Sequence, residues 1–173
     1  FVYSFLHSIT DCFTPPPEGY SAKAARQLLA AYADADIPED QKVNFVCVML
    51  ESYSDLSACA ELTFSNDPYA AFHALQAESY CGVMLSDTMG GGTCNAERSF
   101  LTGYGYPHPD YRHETESFVQ YFRRQGYVTD GSHPGHNWFY NRQNVNKNLG
   151  FDQYLFSEEL FCTLTDQEFA YDD

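Results

Sequence analysis

The 173 residues, 44% of them apolar, suffice for one domain of ordinary size with its own core, and no apolar run is long enough to span a membrane. Against 24 acidic residues stand only 9 Lys and Arg, a net charge of −15 that repels polyanions and argues against nucleic acid as a partner. An anionic substrate would therefore need a local positive centre, either a metal ion or a specific Arg.

Phe1 to Ile9 is apolar and aromatic with polar breaks, and predicts a short helix. Thr14-Pro15-Pro16-Pro17-Glu18-Gly19 is a stiff extended connector, because each Pro fixes φ and forbids helix. Ser21 caps a predicted helix from Ala22 to Ala33, rich in Ala and Leu. The acidic loop Asp34 to Gln41 ends a helical and proline-rich linker region over residues 1–41. Val43 to Leu50 is nearly continuous apolar and reads as a strand buried on both faces, as in a parallel sheet. Asp67-Pro68 opens a helix running from Tyr69 to Ser79, with Pro in its first turn. Tyr80 to Asp87 is the second predicted strand, and Gly90-Gly91-Gly92 turns it into a helix with Thr93 at the N-cap.

A loop with two prolines, Tyr104 to His113, precedes a helix from Glu114 to Gln125 that Gly126 closes at C′. Tyr127 to Asp130 is a short strand, Gln143 to Leu149 a short helix ended by Gly150, and Phe151 to Leu160 an aromatic loop. The alternation predicts an α/β fold whose sheet is mainly parallel and flanked by helices. None of the six Cys forms a C-x-x-C pair, which argues against a zinc ribbon or thioredoxin site. Cys47 and Cys81 lie in the apolar runs and are expected as small core residues.

Glu51 and Thr93 both follow the carboxyl ends of predicted strands, which in a parallel sheet puts them on one edge. A carboxylate and a hydroxyl converging there suit a hard divalent cation, which would lower the hydroxyl pKa and make Thr93 a usable nucleophile. A helix N-terminus beside them favours anions. Trp138-Phe139-Tyr140 followed by Asn141-Arg142 predicts an aromatic wall with a cation at its end, and an Arg fork fits phosphate bidentately. The competing reading of that wall is core aromatics with a structural Arg. His133, just past a predicted strand end, is the best placed of the loop histidines, and Asp55 is expected as a cap or turn residue.

Three segments in order resemble one family. Val46-Cys47-Val48-Met49-Leu50-Glu51-Ser52-Tyr53-Ser54-Asp55-Leu56, Gly90-Gly91-Gly92-Thr93-Cys94-Asn95-Ala96-Glu97, and the run from His133-Pro134-Gly135 through Phe139-Tyr140-Asn141-Arg142 to Phe151-Asp152 are similar to lipoteichoic acid synthase-like proteins, of the sulfatase-like branch of the alkaline phosphatase superfamily. The resemblance implies that residues 42–173 are the N-terminal part of an extracellular catalytic domain with an alkaline phosphatase/sulfatase-like fold. It makes Glu51 a metal ligand and Thr93 both metal ligand and nucleophile. Arg142, Tyr140, Phe139 and His133 become substrate-binding residues; Tyr140 stands where many relatives carry Trp. The implied metal is divalent, manganese first, with magnesium or zinc as substitutes. The implied donor is phosphatidylglycerol, from which glycerol phosphate is transferred, and the implied location is the outer face of the cell membrane, reached through segments outside this chain.

The family's late Asp-His metal ligands have no counterpart here. The chain, which begins at Phe1, is therefore expected to be an incomplete piece that binds metal weakly and associates with its missing half or with itself. The alternatives are a sulfatase or phosphatase-type hydrolase and a non-catalytic extracellular module that binds glycans or partners. The Cys94-Asn95-Ala96-Glu97-Arg98 segment lacks the pattern of sulfatases that use a modified Cys.

Overall fold

The computed structural model describes residues 2–3, 16–50, 53–85, 92–105, 109 and 111–164. The chain divides into two compact units, Phe1–Asp40 and Gln41–Asp173. In the first, helix α1 spans Ala22–Leu29 and tightens into a 3₁₀ turn at Ala30–Tyr32. Ser21 starts it as the sequence predicts: its extended backbone turns its hydroxyl back to accept the Ala24 N–H at 3.3 Å.

The second unit carries α2 (Ala70–Ala77), α3 (Thr93–Thr102), α4 (Phe118–Arg124), β1 (Asp130–Ser132), α5 (Arg142–Leu149) and β2 (Gln153–Leu155). A π-helical turn, Ser157–Phe161, and a last helical turn, α6 (Cys162–Leu164), follow. β1 and β2 pair in parallel, with Asp130 opposite Gln153, Gly131 opposite Tyr154 and Ser132 opposite Leu155. α5 lies between the two strands in sequence and packs back on β2, which is the crossover a parallel pair needs. The α/β class with a parallel sheet flanked by helices is thus borne out.

The extent of the sheet is not. Val43 to Leu50 and the described part of the second apolar run, residues 80–85, form no strand, and β1 with β2 is the only ladder among the described residues. Val46 is 82% exposed, and Tyr80, Val83 and Leu85 are more so. Apolar character specifies a strand only when a neighbour takes up its N–H and C=O groups, and the described residues place none beside either run. One ring anchors the first: Phe45 stacks on Phe122 of α4 at 5.6 Å. Cys47 and Cys81 are exposed for the same reason, and among the described residues the buried thiol is Cys94.

The core is small. Leu149, with no exposed surface, packs with Val145 and Tyr111, and Leu101 of α3 and Phe151 close over them. Buried polar side chains tie the helices together around it. Ser117 caps α4 by accepting the Gln120 N–H at 3.0 Å and donates to the Leu149 carbonyl at the end of α5, at 2.5 Å. Thr129 donates to the Gly150 carbonyl at 3.0 Å, and Asp152 accepts from the Thr129 backbone at 3.1 Å. Gly150 must be Gly twice over. Its φ is +104°, and a Cβ there would stand 2.7 Å from the Gln120 side chain.

Candidate active site

α3 starts one residue earlier than the hydroxyl pattern suggests. Gly92 is the N-cap, and Thr93 is the first helical residue. Gly92 receives the Asn95 and Ala96 N–H groups through its carbonyl, which puts Thr93 one place inside the cap. Thr93 is partly exposed, with its hydroxyl at the positive end of a ten-residue helix. Gly103, at φ +73°, ends that helix.

Glu97 stands four residues on from Thr93, hence one turn further along the same face. It accepts from Nη1 of Arg142, the first residue of α5, and both partners are buried or nearly so. Burial works against the Arg142 charge, and the Glu97 carboxylate more than offsets this, leaving the guanidinium pKa above its ordinary value. The Tyr154 phenol, on β2, belongs to the same group. Burial pushes its pKa well up and Glu97 pushes the same way, so the phenol stays protonated at any working pH. Tyr154 fits because its pairing partner is Gly131, where a Cβ would sit 2.4 Å from the Tyr154 ring.

The next residue of α3, Arg98, reaches the same segment two residues before Arg142. Its Nη2 donates to the Tyr140 carbonyl at 2.7 Å, and its guanidinium lies over the Tyr111 ring at 5.3 Å. That carbonyl belongs to a strained corner. Tyr140 and Asn141 adopt φ of +52° and +56°, a left-handed pair that costs L-residues roughly 1–2 kcal/mol each. The corner turns the chain from the aromatic run into α5 and so delivers Arg142 inward while Phe139 and Tyr140, 4.4 Å apart, stay on the surface. The aromatic wall therefore exists as an open face, and the cation at its end is inside.

The structure brings Thr93, Tyr140 and Arg142 to one helix, Thr93 as a member and the other two through Arg98 and Glu97. Phe139 accompanies Tyr140. His133 is buried at the end of β1, where its N–H extends the ladder to the Leu155 carbonyl at 3.0 Å. Its Nδ1 accepts the Gly135 N–H at 2.8 Å, which leaves Nε2 as the protonated nitrogen of the neutral ring. Glu51 lies outside the described residues. As one ligand of a hard cation Thr93 fits, being a partly exposed oxygen donor, but among the described residues no group of three or more His, Cys, Asp or Glu converges to complete a site.

Glu97 closes the family-like segment but has no role assigned there, and Arg98 and Tyr154 carry no motif signal of their own. Only the four-residue spacing from Thr93 to Glu97 points to a shared face, and it names no partner. A second cluster, away from this one, joins Asp55, Asp67 and His73. Asp55 makes the predicted turn contact by accepting the Ser57 N–H at 2.9 Å, and its other oxygen meets His73 Nε2 at 2.8 Å. Asp67 accepts the Tyr69 N–H at 2.8 Å at the start of α2 and approaches His73 Nδ1 at 3.4 Å.

Comparison with known proteins adds three findings. The sulfatase family model matches residues 43–172. A cyclic beta-1,2-glucan modification protein of Rhizobium meliloti (strain 1021), so described, is 28% identical over 169 residues. That match covers 92% of this chain, which spans about a quarter of the relative's length (26%). Among solved structures, the lipoteichoic acid synthase LtaP from Listeria monocytogenes aligns over 42% of this chain and 19% of its own, with a TM-score of 0.37 and 22% identity.

Proposed function

This chain belongs to the sulfatase family, and we propose that it is the nucleophile-bearing part of an enzyme that transfers glycerol phosphate through a covalent threonine intermediate. The observation that carries the reading is Thr93, partly exposed as the first residue of a helix whose next turn holds Arg142 through Glu97. The donor is phosphatidylglycerol, and the acceptor is a hydroxyl of a cell-envelope polymer. The full protein acts at the outer face of the cell membrane, held there by segments beyond these residues.

In the first step the Thr93 oxygen forms a bond to the donor phosphorus, and the bond from phosphorus to the diacylglycerol oxygen breaks. The hydroxyl proton leaves with the diacylglycerol. In the second step the acceptor hydroxyl attacks the same phosphorus, the Thr93 oxygen is released, and the acceptor's proton restores the Thr93 hydroxyl. Glu51 and Thr93 would hold a divalent cation, manganese by preference, and that cation would lower the hydroxyl pKa. Arg142 offers the phosphate its donors from the buried side, with Glu97 fixing the guanidinium. His133, Phe139 and Tyr140 shape the substrate's surroundings.

The test is the intact mass of the longest version of the protein after incubation with phosphatidylglycerol and manganese. The expected result is a gain of one glycerophosphoryl group that Thr93→Ala abolishes. An unmodified mass with Glu51 and Thr93 intact would overturn the transferase reading.

A further inference from the structure

Two sets of contacts tie the chain just after Glu51 to α2. The Tyr53 ring, two residues on, meets Phe72 at 5.0 Å and Tyr69 edge to face at 6.0 Å. Asp55, four residues on, accepts the Ser57 N–H with one oxygen and meets His73 Nε2 at 2.8 Å with the other. Tyr69, Phe72 and His73 stand at i, i+3 and i+4, so all three lie along one face at the start of α2. Tyr53 and Asp55 are alternate residues, and one takes the rings while the other takes the imidazole. On the near side the Tyr53 N–H donates to the Leu50 carbonyl at 3.3 Å, which joins the two residues that flank Glu51 and Ser52.

His73 is the pivot of this clasp. Asp67, which accepts the Tyr69 N–H, approaches His73 Nδ1 at 3.4 Å from the other side. With a carboxylate at each ring nitrogen, both nitrogens are donors and the ring is held as the imidazolium. Ser57 Oγ stands 3.5 Å from Nε2, and the Tyr69 and Tyr53 phenols are the other titratable groups of the cluster. A cation in the first turn of a helix works against the dipole, so α2 gains nothing from His73 by itself. The fold gains little either. The His73 and Asp55 side chains are 36% and 29% exposed, and ion pairs as open as this add little to stability. What the pair does supply is local geometry, because a charge-assisted hydrogen bond gives Asp55 one place on α2.

We infer that His73 is a positioning residue: from α2 it holds, through Asp55, the segment that carries Glu51, and so sets how well Glu51 can serve a metal ion. The inference deepens the metal-dependent transferase reading and rests on Glu51 as a ligand. It assigns α2, which the reading otherwise leaves without a part, as the platform for that ligand.

The experiment uses the longest version of the protein and two readouts, neither of them activity. Amide hydrogen exchange over residues 53–57 is followed by mass spectrometry without metal, and Mn²⁺ affinity is followed by electron paramagnetic resonance. His73→Gln and Asp55→Asn should each speed the exchange and weaken Mn²⁺ binding about tenfold, the low end for groups that act through a neighbour. The double variant should be no worse than either single one, since both remove the same link. Asp67→Asn keeps the bond to the Tyr69 N–H and loosens His73 from the side away from the segment, so it should leave Mn²⁺ affinity unchanged. The advantage of the wild type over His73→Gln should shrink as pH climbs through the raised His73 value. Glu51→Ala, run alongside, separates the two claims. If it abolishes Mn²⁺ binding while His73→Gln and Asp55→Asn leave affinity unchanged, the inference is overturned and the ligand reading stands. If Glu51→Ala itself leaves affinity unchanged, the ligand reading falls and takes the inference with it. Equal losses in Asp67→Asn and His73→Gln would also overturn the inference, by reducing the clasp to a general support of α2.

Discussion

Replacing Glu97 with Ala removes the carboxylate from a guanidinium that is only 4% exposed. The cost follows from what is left behind. Arg142 keeps its charge, because no protein environment deprotonates it at neutral pH, and its α5 backbone cannot carry it back to water without disturbing the left-handed corner before it. Breaking a buried pair from one side costs about 3–5 kcal/mol, a large share of the roughly 5–15 kcal/mol that holds a domain folded. Urea unfolding followed by far-UV circular dichroism should therefore show a much lower midpoint for Glu97→Ala. Glu97→Leu combined with Arg142→Met removes both charges at similar volume and should recover most of the loss. A single-variant cost below about 1 kcal/mol, or a double variant as unstable as the single one, would refute the claim that this pair is desolvated.

The His73 cluster gives a pH dependence with two limbs. Asp55, through hydrogen bonds from Ser57 and then from His73, is lowered from 3.8 to about 2, so its contribution is present above 3.8 and fades as pH falls toward 2. His73, hydrogen-bonded to Asp55, is raised above 6.5, so its contribution is full below 6.5 and is lost as pH climbs through the raised value. The cluster is thus most favourable between about pH 4 and 6.5, and an NMR titration of the His73 ring should show Asp55→Asn returning its pKa toward 6.5. Gly131→Ala should lower the melting temperature by driving a methyl into the Tyr154 ring, with a cost of about 1–3 kcal/mol.

Where the fold was legible in the sequence, the signal was local. Ser21 starts its helix with its own hydroxyl, and Gly126 and Gly150 follow helix ends with positive φ, because caps and left-handed turns are decided within a few residues, whereas the helix expected from Glu114 starts only after Ser117, whose hydroxyl caps it. The α/β class with a parallel sheet was legible from the alternation of elements, but β2 falls in the segment 151–160 that reads as a loop, because three residues are too few to show a strand period. The runs at residues 43–50 and 80–85 misled because an apolar run states only that burial is wanted, and strand formation depends on a partner elsewhere. At the site, Thr93 and Arg142 stood out by their surroundings, but the tie between them runs through Glu97, an ordinary helical acid in sequence. The burial of Arg142 was equally hidden, since it follows from the Tyr140 and Asn141 backbone, and two left-handed residues in succession leave no mark in an Asn and a Tyr.

Adjacent side chains on one helix grip adjacent stretches of another segment: Glu97 takes Arg142 and Arg98 takes the carbonyl of Tyr140. The two grips run in opposite senses along the two segments, 97 to 98 on the helix against 142 to 140 across from it, and together they span the corner. A rotation of α3 about its axis, or a slide by part of a turn, would have to stretch both at once. The start of the helix, where Thr93 sits, is thereby tied to the left-handed corner at Tyr140 and Asn141 through two contacts rather than one.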